Sequence, residues 1–127
     1  MKKIEFLNHK TMNSKIKLGI LGGGGDSLIG VLHRVASNMF DRYEIVGGVF
    51  NPNYDENLAF AKKIGLDESR VYLDFETMIL EESKLDSNER MEVVSVLTPN
   101  FLHFPMAKKL LENNFHVICE KPLTTSY

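Results

Sequence analysis

The sequence predicts an α/β domain with a parallel, doubly wound sheet in strand order 3-2-1-4-5. Three observations predict it. Short apolar runs alternate with segments of helical apolar spacing. The runs are mostly continuous, as in strands covered by helices on both faces. Four consecutive glycines, Gly22 to Gly25, follow the first run in the stretch GILGGGGDSLIG. Right-handed crossovers and a ligand crevice at the carboxyl ends of the strands follow from that architecture.

Residues 16–21 (IKLGIL) form an apolar run that stops at glycine, a strand signal. Over residues 28–40, Leu28, Leu32, Val35 and Met39 recur at helical spacing, with Val31 and Ala36 beside them, making one apolar helix face. Residues 44–50 (EIVGGVF) give a second strand, closed by the turn cluster Asn51-Pro52-Asn53. A helix over 54–64 carries Leu58, Ala61 and Ile64 and stops at Gly65. Residues 70–73 (RVYL) read as a short third strand, and Asp74 as the cap of a helix over 75–82 packed through Met78 and Ile79. Polar residues 83–90 form a loop. A fourth strand covers 92–97 (EVVSVL). Asn100 is placed to cap the next helix, whose apolar positions are Leu102, Met106, Leu110 and Leu111. The fifth strand covers 115–119 (FHVIC).

Size and composition limit the function classes. The chain has 127 residues, enough for one domain with a real core. Its 43% apolar and 25% charged content is that of a globular protein. A formal charge of −2 predicts neither a nucleic-acid nor an anionic-membrane partner. The single cysteine, Cys119, forms no internal disulfide and no cysteine-cluster metal site, so no metal is expected and a cytoplasmic location fits. No apolar run approaches the roughly 20 residues that cross a bilayer. Residues 1–14 lack the sustained apolar stretch of a secretory signal and read as a leader, with a single domain over 15–127.

The glycine stretch carries the first chemical signal. A G-x-G-x-x-G/A turn between strand and helix lets a pyrophosphate approach bare backbone at a helix N-terminus. The best register is Gly22, Gly24 and Ser27, while a frame on Gly23 and Gly25 fails at the bulky Leu28. Gly30, one turn later, allows the helix to approach the sheet. A P-loop is excluded because no Gly-Lys-Ser/Thr follows. An acid commonly ends the second strand, where it binds the adenosine ribose. Here Asn51 stands there, with no acid before Asp55 and no arginine beside it, so NAD and NADP both stay open. A plain turn-forming role for Asn51 competes with a binding role.

Two further stretches end the fourth and fifth strands: Thr98-Pro99-Asn100-Phe101-Leu102-His103 and Glu120-Lys121-Pro122. With the glycine turn, and with the Ile-Gly-x-x-His-Arg segment that continues it, they resemble the N-terminal Rossmann domain of the Gfo/Idh/MocA oxidoreductases over residues 15–125. The resemblance implies hydride transfer between NAD or NADP and a hydroxyl carbon of a sugar, inositol or related polyol. It implies Gly22, Gly24 and Ser27 at the pyrophosphate and Asn51 near the adenosine ribose. Thr98, Pro99 and Asn100 would run along the nicotinamide, with Glu120 near its ribose. Lys121, fixed by Pro122, would reach the reacting hydroxyl and the nicotinamide as the catalytic cation. By its position in the first turn of the fourth helix, His103 reads as a cofactor contact facing the crevice or, equally, as a packing or capping residue. A homo-oligomer is implied for the full-length family enzyme.

Other residues have blander readings. His33 and Arg34 read as helix-surface or packing residues, His116 as structural, Cys119 as a buried small apolar residue, and Lys108 and Lys109 as solvated. Family enzymes carry a catalytic Asp and His on a second domain. No Asp-x-x-x-His occurs in these 127 residues. The expectation is therefore a cofactor domain, truncated before the substrate domain and without turnover by itself. Its fifth strand would have an open edge that invites pairing between chains. A non-enzymatic dinucleotide-binding or regulatory module is the alternative, because fold alone does not fix function.

Overall fold

A computed structural model of the chain describes residues 14–126. All but the last residue of the leader read over 1–14 lies outside the described residues. Four strands, β1 (Ile16–Gly22), β2 (Tyr43–Val49), β3 (Val93–Leu97) and β4 (His116–Cys119), form one sheet in the order β2-β1-β3-β4. Every pairing is parallel. Four helices connect them: α1 (Leu28–Asn38), α2 (Tyr54–Lys63), α3 (Phe75–Ser83) and α4 (His103–Glu112). The doubly wound architecture and the relative order of four of the predicted strands are those expected from sequence.

The third predicted strand, 70–73, shrinks to a single bridge between Val71 and Gly48 on the outer side of β2. Residues Glu68–Arg70 instead make a 3₁₀ turn capped by Asp67. The physical reason is Asn57. Its buried side-chain amide accepts from Phe50 N–H (2.7 Å) and donates to Tyr72 C=O (2.9 Å). A side chain thus satisfies backbone groups that a longer ladder would otherwise pair. Beyond it, the Glu82 carboxylate is fully buried and accepts from Arg70, Tyr72 Oη and the Met91 amide. That network holds the segment against α3 without strand pairing.

The sheet's two faces carry separate apolar clusters. One gathers Leu21, Met78, Val94, Val96, Leu110 and Phe115 under α3 and α4. The other gathers Leu18, Ile20, Phe50, Ala61 and Leu97, with Ile29 and Phe60 packed against it. The helix cap at Asp74 and the stop at Gly65 are as read from sequence. Other sequence expectations are corrected. The stripe Leu28, Leu32, Val35 and Met39 faces outward, each residue more than half exposed. α1 instead turns Gly30 and Ser37 inward, because Gly30 has to meet the glycine turn. Asn100 caps nothing: residues Asn100–Leu102 form a 3₁₀ turn and α4 starts at His103 without a side-chain cap. Cys119 is half-buried rather than buried, and His116 is exposed at the start of the outer strand β4. Among the described residues no helix is long and apolar enough to cross a membrane.

Candidate functional site

The carboxyl ends of β1, β2 and β3 bring Gly22, Asn51, Thr98 and Pro99 to one cleft of about 450 Å³. Phe101, Leu73 and Phe75 widen its apolar wall. An apolar crevice with a few convergent polar groups is the usual form of a small-molecule site.

The glycine turn is wedged between its neighbours. Gly22 has φ +79°, and a Cβ there would lie 2.8 Å from the Leu97 carbonyl at the end of β3. A Cβ on Gly24 would lie 2.7 Å from the Phe50 carbonyl just beyond β2. The close helix–strand approach expected at the third fingerprint position falls to Gly30, whose Cβ would sit 1.8 Å from the Gly23 carbonyl. Ser27 instead caps α1, its Oγ accepting from Gly30 N–H (3.1 Å). The amides of Gly25, Asp26, Leu28 and Ile29 donate to no group among the described residues. Free amides at a helix N-terminus form a cradle for an anion.

Thr98 supplies the clearest sign of a missing partner. Its Oγ1 is buried and has no hydrogen-bond partner among the described residues. Such a hydroxyl carries a desolvation cost of about 1–3 kcal/mol unless a partner arrives. The Thr98 carbonyl is occupied by His103. The His103 ring is buried, with Nε2 2.8 Å from Thr98 O and Nδ1 2.7 Å from Pro122 O. His103 thus ties together the loops after β3 and β4, the packing alternative of the two sequence readings.

Glu120 stands beside the end of β3, its amide donating to Val96 O (3.1 Å). Its Oε1 is 2.7 Å from His33 Nε2 on α1. That hydrogen bond holds the Glu120 carboxyl below its ordinary range. His33 is thus drawn into the site's frame, a role missed in the sequence because α1 spacing alone does not disclose which face meets β4. Arg34 is likewise engaged: it donates to Gly23 O (2.9 Å) and its guanidinium lies 4.9 Å from the Phe60 ring centroid. Burial pushes the Cys119 thiol up, away from nucleophilic use. Lys121, Pro122 and Asn100 are exposed at the same sheet edge, outside the cleft wall. Lys108 and Lys109 pair with Glu112 and Glu76 on the surface. Among the described residues no group of three or more His, Cys, Asp or Glu could hold a metal ion.

The donor set fits a dinucleotide: a free-amide cradle on the glycine turn, a partnerless hydroxyl on Thr98, and an apolar cleft that Gly22 and Thr98 both line. Comparison with known proteins agrees. The family model for the Gfo/Idh/MocA oxidoreductases, described as an oxidoreductase family with an NAD-binding Rossmann fold, matches residues 16–127. An uncharacterized oxidoreductase of Bacillus subtilis, YfiI, is 35% identical over 92% of this chain and 30% of its own length. An oxidoreductase structure from Sinorhizobium meliloti is 41% identical with a TM-score of 0.83, over 90% of this chain and 31% of that one. An inositol dehydrogenase homolog from Azotobacter vinelandii, solved with NADH and myo-inositol, is 33% identical with a TM-score of 0.85, over 90% of this chain and 30% of that one. The chain thus spans about a third of these proteins' length. It belongs to the Gfo/Idh/MocA oxidoreductase family, whose NAD-binding Rossmann domain it carries.

Proposed function

We propose that this chain is the cofactor half of an enzyme that moves hydride between NAD and a hydroxyl carbon of a sugar, inositol or related polyol. The observation that carries the proposal is the buried, partnerless Thr98 hydroxyl beside a glycine turn with free amides. When bound, NAD supplies the hydride acceptor or donor. Gly22, Gly24 and Ser27 shape the pyrophosphate turn, and Asn51 sits toward the adenosine ribose. Thr98, Pro99 and Asn100 flank the nicotinamide, and Glu120 its ribose. Lys121 presents its ammonium at the sheet edge, where it stabilises negative charge developing on the substrate oxygen. Pro122 is held from below by His103, which fixes the loop that bears Lys121.

The proton that accompanies hydride transfer needs a second acid–base group, and no Asp-x-x-x-His is present in this chain. Residues 1–127 alone therefore bind cofactor without turnover, and the substrate is selected by residues outside them. The complete protein works in the cytoplasm as a homo-oligomer. Steady-state assays with NAD and a panel of polyols test this reading. Reduction of NAD by the complete protein and none by the isolated chain is the expected result. Turnover by the isolated chain, or no cofactor binding by either, overturns it. The module without catalysis is favoured only if the complete protein binds NADH and oxidises none of the panel.

A further inference from the structure

We propose that Glu56, held by Asn51 at the end of β2, makes this site select NAD over NADP. The inference rests on the reading that the crevice takes a dinucleotide with its adenosine ribose at Asn51. No acid follows β2 directly, yet the fold brings one back. The Asn51 amide is fixed in orientation, because its Oδ1 accepts from Asn53 N–H (2.8 Å). Its Nδ2 then donates to Glu56 Oε2 (2.8 Å). Asn53 closes the ring, its Oδ1 accepting from Glu56 N–H (3.1 Å). The corner thus presents a carboxylate whose Oε1 is bound to nothing among the described residues. A ribose 2′-hydroxyl can donate to such an oxygen, whereas a 2′-phosphate would set like charges together.

Among the described residues, no cation is paired with the Glu56 carboxylate. The first turn of α2 holds Asp55 and Glu56, and its lysines, Lys62 and Lys63, occupy the last turn, about 9 Å along the axis. Arg34 is turned to Gly23 O and the Phe60 ring, and Arg70 to Glu82, so neither is bonded to Glu56. The amide that would greet a phosphate, Glu56 N–H, is already taken by the Asn53 cap.

The test is titration of the chain with NADH and with NADPH, followed by nicotinamide fluorescence, for wild type and Glu56→Gln. Glutamine keeps an acceptor for Asn51 and removes the charge. Glu56 is exposed, so circular dichroism should show an unchanged fold. Wild type should bind NADH about tenfold or more tightly than NADPH, and Glu56→Gln should lower that ratio roughly tenfold, mainly by tightening NADPH. A ratio unchanged by Glu56→Gln, or a wild-type preference for NADPH, overturns the inference while leaving cofactor binding intact. Binding of neither cofactor to the folded chain overturns both readings together.

Discussion

The turn after β1 and the corner after β2 border the same cleft and are built from different material. The first is backbone: Gly22, Gly24 and Gly30 stand where a Cβ would strike a carbonyl. The second is side chain: Asn51, Asn53 and Glu56 close one hydrogen-bonded ring, and Asn57 separately holds Phe50 N–H and Tyr72 C=O. A backbone device tolerates no addition, whereas a side-chain device fails by subtraction. The two should therefore break in opposite ways.

Gly30→Ala should have the largest effect. Its Cβ would lie 1.8 Å from the Gly23 carbonyl, so α1 has to move away from the turn. A loss of about 3 kcal/mol, at the upper end for overpacking, is expected in denaturant unfolding. Asn57→Ala tests the second corner. It strips partners from Phe50 N–H and Tyr72 C=O, both held by one buried amide, and should cost about 2 kcal/mol in the same experiment. If Asn57→Ala proves neutral, the ladder beyond Gly48 can re-form without it.

These two corners also show what was legible. Glycine positions and apolar runs are written in residue identity, so four strands and their order could be read directly. The shortened third strand could not, because RVYL has strand composition and only the fold sets Asn57 between Phe50 and Tyr72. The outward stripe of α1 misled for a similar reason. Apolar spacing marks a helix, but Gly30, not the stripe, decides which face meets the sheet. The role of Glu56 was hidden because its approach to Asn51 depends on a turn and a cap acting together. His103 was legible as either a crevice or a packing residue, and only geometry chooses, by showing both ring nitrogens turned to backbone carbonyls.

A smaller effect concerns the contact between α1 and the loop after β4. The His33 hydrogen bond lowers the Glu120 carboxyl from its ordinary 4.5. Because the folded value is the lower one, this contact adds stability above the unfolded value, and that contribution is lost as pH falls through the folded value. His33→Ala should move the Glu120 titration, followed by carboxyl NMR, up toward its ordinary value. The stability penalty should be present at neutral pH and vanish in acid. A Glu120 titration that stays in place would mean that His33 does not hold it.

The central claim is that the crevice at the carboxyl edge is completed by NAD, and Thr98→Val addresses it most directly. Valine keeps the shape and removes a hydroxyl that has no partner among the described residues. The unfolding midpoint should therefore hold or rise. NADH affinity, measured by fluorescence titration, should fall by about threefold to tenfold, the worth of one hydrogen bond. An unchanged NADH affinity with an unchanged fold would contradict the claim, because the Thr98 hydroxyl would then be buried for no ligand.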